Sequence, residues 1–131
     1  MEYAIQIMEA EKIINVTAKG LLDKQTEDLM TYEILSSVTR LGLKKVLLDM
    51  REVEFDMSLA AIFQRAQELR EQRIETRSFS LRVAIVYFAK DKKAEENFGF
   101  FENTARNRGL PYKVFKDTKE ALAWLTEAPL A

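Results

Sequence analysis

The chain has 131 residues, 47% of them hydrophobic and 31% charged, which is the size and composition of a single globular domain able to bury its own core. It contains no cysteine and no histidine, so disulfides, thiolate metal sites, cysteine nucleophiles and imidazole acid–base chemistry are excluded. Twenty Lys and Arg stand against 21 Asp and Glu, a net charge of −1, and such a balance provides no global field to hold a nucleic acid.

The stretch Tyr3-Ala4-Ile5-Gln6-Ile7-Met8 alternates in polarity, and Lys12-Ile13-Ile14-Asn15-Val16-Thr17-Ala18 is rich in β-branched residues. With the polar Glu9-Ala10-Glu11 between them, they predict an antiparallel hairpin. After Gly20 the period changes: Leu29 or Met30, Ile34, Val38 and Leu41 recur at helical spacing. This predicts a helix over residues 24–41, with Asp23 or Thr26 capping its start and Gly42 ending it. Lys44-Lys45-Val46-Leu47-Leu48-Asp49-Met50 is a short apolar run bounded by charge, the pattern of a central parallel strand covered on both faces. From Leu59, apolar residues at Ile62, Phe63, Ala66, Leu69 and Ile74 predict a second helix. Residues 81–88 predict another buried strand. A helix follows from Asp91, with the stripe Ala94, Phe98, Phe101 and Ala105, and stops at Gly109 with Pro111 behind it. Tyr112-Lys113-Val114-Phe115 is the last strand, and Asp117-Thr118-Lys119-Glu120 reads as a capping box opening a helix through Ala121, Trp124 and Leu125.

The expected architecture is therefore one α/β domain over 1–131. Its order is β-β-α-β-α-β-α-β-α, a mixed, mostly parallel sheet with an N-terminal antiparallel hairpin. The longest apolar run, 83–89, is far short of the ~18 residues of a spanning helix, and no basic region precedes an apolar stretch at the start. A soluble, cytoplasmic domain without a transmembrane segment is expected. In open sheets of this kind the working face lies at the carboxyl ends of the parallel strands, here residues 49–58 and 88–91.

In the first of these segments Asp56 or Ser58 can cap the second helix. A hydroxyl at a helix N-terminus is also a favourable place for a phosphate, which Arg51 would help and Glu52, Glu54 and Asp56 would oppose. Asp49, Glu9, Glu11 and Lys90 imitate the acid and lysine set of receiver domains. Glu9 and Glu11 fall in a hairpin turn, however, and would not converge on Asp49. Arg65, Arg70, Arg73, Arg77 and Arg82 are interleaved with Glu68, Glu71 and Glu75, which reads as a solvated, salt-bridged helix face. Phe98 and Phe101 lie on the core stripe of their helix, whereas Phe100 projects about 200° from Phe98. Phe100 is thus a candidate for a partner surface or the mouth of an apolar pocket. No Gly-rich phosphate loop, nucleophile elbow or acid–base pair of known spacing is present, so no catalytic residue, cofactor or metal is expected.

The order of elements, with Val46-Leu47-Leu48-Asp49-Met50-Arg51-Glu52-Val53-Glu54-Phe55-Asp56, Arg82-Val83-Ala84-Ile85-Val86 and the segment from Gly109-Leu110-Pro111-Tyr112 to Trp124-Leu125, resembles STAS and STAS-like domains. That group includes the anti-sigma-factor antagonists and is often compared with lipid-binding CRAL-TRIO domains. In the antagonists the loop after this strand carries Asp-Ser-Ser-Gly or Asp-Ser-Thr-Gly, and its second hydroxyl residue is phosphorylated by a partner kinase. The resemblance maps Ser58 onto that phospho-acceptor, with Met57 in place of the first Ser and Leu59 in place of the Gly.

Two functions are expected from these features. The first is a non-catalytic regulatory domain that contacts a protein partner through the loop 51–58, with Arg51, Asp56, Met57 and Ser58 as the contact residues. The alternative is a carrier of a small apolar, lipid-like ligand, with Met57, Phe88, Phe98, Phe100 and Phe101 lining a pocket between the second and third helices. A homodimer through the hairpin edge or Phe100 is a further possibility. An enzyme using Asp49 and Asp56 is the remotest.

Overall fold

The computed structural model describes residues 1–55, 57–78 and 80–127. Strands β1 (Glu2–Met8) and β2 (Ile13–Leu21) form the antiparallel hairpin, with Lys12 in the left-handed region at its turn. The chain continues through α1 (Lys24–Leu41), β3 (Lys45–Glu54), α2 (Leu59–Thr76), β4 (Arg82–Val86), α3 (Lys92–Asn107), β5 (Tyr112–Phe115) and α4 (Thr118–Thr126). The sheet runs β1-β2-β3-β4-β5 in space, antiparallel only between β1 and β2. Sequential neighbours that are parallel need crossovers, and α1, α2 and α3 supply them.

The predicted helix punctuation is present atom by atom. Asp23, Ser58, Asp91 and Asp117 each accept a backbone N–H of the first turn, satisfying donors that the helix itself cannot. Gly42 ends α1 at φ 67, a conformation in which a side chain would meet its own backbone. Arg77 ends α2 at φ 53 without that exemption.

Strand β3 is longer than its apolar run. Thr17 pairs with Asp49 but Lys19 pairs with Glu52, so β3 advances three residues while β2 advances two. This is a β-bulge at Met50 and Arg51, opposite Ala18. The extra residue rephases β3, which places Met50 and Val53 on the same face in one core cluster. Segment 51–54 is therefore strand, and the expected contact loop shrinks to residues 55–58. The cause is β2, which runs on to Leu21 and offers these residues a ladder partner.

The two faces of the sheet are covered differently. On one, α4 seats Ala121 and Leu125 on Ile13, Leu47, Ala84 and Val86. Arg82 fastens it from the edge, donating to the Trp124 carbonyl at 2.9 Å with its guanidinium over the indole. On the other, α1, α2 and α3 gather around the second cluster, which contains Val16, Met30, Val46, Leu69 and Val83.

Candidate functional site

Helix α2 decides what the three-helix face encloses. Its buried residues are Ile62, Arg65, Ala66, Leu69 and Arg73, so its inner face offers the sheet a small alanine and two arginines. Leu59, Phe63 and Ile74, expected on the core stripe, are each at least half exposed. The solvated reading of the arginines holds for Arg70 and Arg77 and is corrected for Arg65 and Arg73, which are buried, and Arg82, which is half-buried.

Polar links hold α2 at its flanks. Arg65 reaches α1, donating to Asp28 at 2.9 Å and Thr31 at 3.0 Å. Its Nε pairs with Glu27 across 2.6 Å without an aligned N–H bond. Lys24 closes the network on Glu68 at 2.9 Å and Asp28 at 3.3 Å. Burial pushes the Glu27 carboxyl above the ordinary carboxylate range in spite of Arg65. On the other flank Arg108, which caps the end of α3, donates to Gln67 at 3.0 Å and lies over the Phe63 ring.

Between α2 and the sheet lies a cavity of about 750 Å³, inside the range of small-molecule sites. Its floor is the apolar face of β3 and β4, including Val46, Leu48, Met50, Val83 and Ile85. Met30 and Ile34 of α1, Leu69 of α2, and Phe98 and Phe101 of α3 form the walls. Phe98 is fixed by stacking on Tyr87, with centroids 4.3 Å apart, and by an edge contact with Phe55 at 4.8 Å. Phe101 meets Tyr112 edge-on at 5.6 Å. The exposed lining residues Arg51, Glu52, Phe88, Lys90 and Lys93 mark an opening at the carboxyl ends of the parallel strands, where open α/β sheets bind ligands.

Of the residues singled out from the sequence, Arg51, Met57, Phe88, Phe98 and Phe101 line this one cavity. Phe100 is half-buried and is not among the lining residues. The cavity is also wider than a cleft between the second and third helices, since α1 contributes a wall. Ser58 caps α2, its hydroxyl accepting the Ala61 N–H at 3.1 Å, and Asp56 lies outside the described residues.

Asp49 accepts the Arg51 Nε at 2.9 Å, its Nη2 at 2.7 Å and its backbone N–H at 3.1 Å. The side-chain bonds from Arg51 hold the Asp49 carboxyl below its usual range. Glu9 and Glu11 sit at the hairpin turn, beyond the amino end of β2, so the receiver-like set is not assembled around Asp49. Among the described residues no group of three or more carboxylates could hold a metal ion, and no helix is long and apolar enough to cross a membrane.

No protein-family model matches the chain, and no curated protein does. Solved structures do. An anti-sigma factor antagonist from Mycobacterium paratuberculosis superposes with a TM-score of 0.58 at 13% identity, over 96% of each chain. An uncharacterized protein of the DUF3478 family with a SpoIIAA-like fold, from Shewanella loihica, also gives 0.58, at 23% identity over 94% of this chain and 93% of that one. The chain thus has the SpoIIAA-like, STAS-like fold that its order of elements resembled.

Proposed function

We propose that the chain is a non-catalytic binding domain whose cavity takes a small apolar ligand through the opening at Met57 and Phe88. The observation that carries this is the cavity of about 750 Å³ with an apolar floor and aromatic walls. A domain of this size has no structural use for so large a space, because interiors are otherwise packed nearly as densely as organic crystals. Unfilled apolar volume weakens a core, and a bound apolar molecule restores the missing contacts.

The test is a fluorescence titration with N-phenyl-1-naphthylamine, a neutral apolar probe, on the parent chain and on Leu48→Trp. Leu48 is on the floor of the cavity, where a larger side chain enters empty volume. The parent should bind the probe saturably and the variant about tenfold or more weakly, with both unfolding cooperatively. Absence of saturable binding by the parent, or equal binding by both, overturns the reading.

A second reading rests on the rim. Phe88, at the opening, and Leu59, two residues beyond Met57, are exposed large apolar side chains, and exposed apolar patches mark protein contacts. In this reading the rim docks a regulatory protein partner or a second copy, and Ser58, at the N-terminus of α2, is the switch that a phosphate would set. The match to an anti-sigma factor antagonist supports it at the level of fold. Phe88→Ser should then weaken a co-purifying partner or a self-association seen by sedimentation, and an unchanged complex would sink it.

A further inference from the structure

Arg73 is among the largest side chains buried in the molecule, at 2% exposure, and it lines the cavity. A guanidinium removed from water is costly unless its charge and its N–H groups are both compensated. The other buried arginine on this helix face, Arg65, has three carboxylates within 3.3 Å. Among the described residues Arg73 has none within ion-pair distance.

Its partners are neutral. Nη1 donates to the carbonyls of Ser78 at 2.9 Å and Leu81 at 3.3 Å, and Nη2 to the Tyr112 hydroxyl at 2.8 Å. The Nε–H and one Nη2–H have no acceptor among the described residues. Tyr112 also lines the cavity, and its hydroxyl, which accepts from Arg73, donates to none of the described residues. An uncompensated cation and a neighbouring hydroxyl proton therefore meet beside the apolar floor of the cavity, at the end opposite the charged residues of its opening.

Resting on the cavity reading above, we propose that Arg73 and Tyr112 form the headgroup end of the cavity. Its ligand is then a single-chain amphiphile with one carboxylate, a compound of the fatty-acid class. The placement gives the ligand a direction. Leu81 and Tyr112 stand at the amino ends of β4 and β5, whereas Phe88 follows the carboxyl end of β4. Strand β4 has five residues, roughly 16 Å of extended chain, so an acyl tail anchored at Arg73 runs along the sheet towards Met57 and Phe88. The charge selects the head. One cation matches one negative charge. Arg65 cannot compete for the head, because its carboxylates already outnumber the cations in its network.

The experiment compares dodecanoate with 1-dodecanol by isothermal titration calorimetry on the delipidated full chain and on Tyr112→Phe and Arg73→Met. The parent should bind dodecanoate about tenfold more tightly than the alcohol. Tyr112→Phe should reduce that preference several-fold and leave the alcohol unchanged, and Arg73→Met should abolish it. Arg73 also ties down the turn into β4, so Arg73→Met could fail to fold, and Tyr112→Phe keeps the test alive. Equal binding of acid and alcohol by the parent, or a variant that weakens both alike, overturns the headgroup site while the cavity reading stands. Binding of neither ligand overturns the cavity reading itself.

Discussion

The two faces of the sheet use the same kinds of residue to opposite ends. Under α4 the contact is closed: Ile13, Leu47, Ala84, Val86, Ala121 and Leu125 are all buried to within 4% of complete. Under α1, α2 and α3 the buried apolar residues surround a cavity, and the helix in the middle adds arginine ion pairs and hydrogen bonds at its flanks to the packing of Ile62, Ala66 and Leu69. Apolar contacts are strong and indifferent to direction, whereas ion pairs and hydrogen bonds at a half-wet flank contribute little net stability but fix position. One face therefore anchors the fold, and the other is free to carry a ligand without taking the fold apart.

The sharpest way to break that division is to make the same deletion on both faces. Leu125→Ala removes a fully buried side chain from the closed face, and a cavity opened in dense packing should cost about 3 kcal/mol. Leu69→Ala removes one of nearly the same burial from the cavity wall. Its side chain borders the cavity, so part of the volume it vacates merges with existing space, and its loss should cost less, about 2 kcal/mol. Urea unfolding of the two variants measures the difference. Equal losses would mean that the two faces are packed alike and that α2 carries as much of the stability as α4.

The closed face was also the legible one. Its strand residues and the α4 cap belong to short-range patterns, visible in Ala84 and Val86 of an unbroken apolar run and in Asp117-Thr118, without knowledge of anything distant. The open face depends on information that local patterns do not hold. The bulge that carries β3 through Glu54 exists because β2 extends to Leu21, a pairing between segments more than thirty residues apart in the chain. Arg65 and Arg73 lie among alternating glutamates, the local pattern of a solvated face. Yet Ile62, Ala66, Leu69 and Arg73 follow one another at spacings of four, three and four, a narrow helical stripe that includes Arg73 and leaves out Phe63 and Ile74. Phase along the helix, rather than residue type, held that signal. The aromatic lining was legible for the opposite reason: Phe98 and Phe101 follow a simple stripe, and Met57 and Phe88 sit where open sheets place their sites.

The smallest expected effect belongs to Phe100, and it sharpens the same comparison within a single helix. Phe98 and Phe101 are three residues apart and share the inner side of α3, where Tyr87, Phe55 and Tyr112 hold their rings. Phe100 is turned about 200° from Phe98, is half-buried and is not among the lining residues. Phe100→Ser should therefore cost less than about 1 kcal/mol in urea unfolding and change the affinity for N-phenyl-1-naphthylamine by less than about twofold. A large loss of probe binding would place Phe100 on the ligand's path and require α3 to turn when the cavity fills. An unchanged affinity keeps the boundary where the geometry draws it, with two of the three aromatic residues of this helix lining the cavity and the third outside its lining.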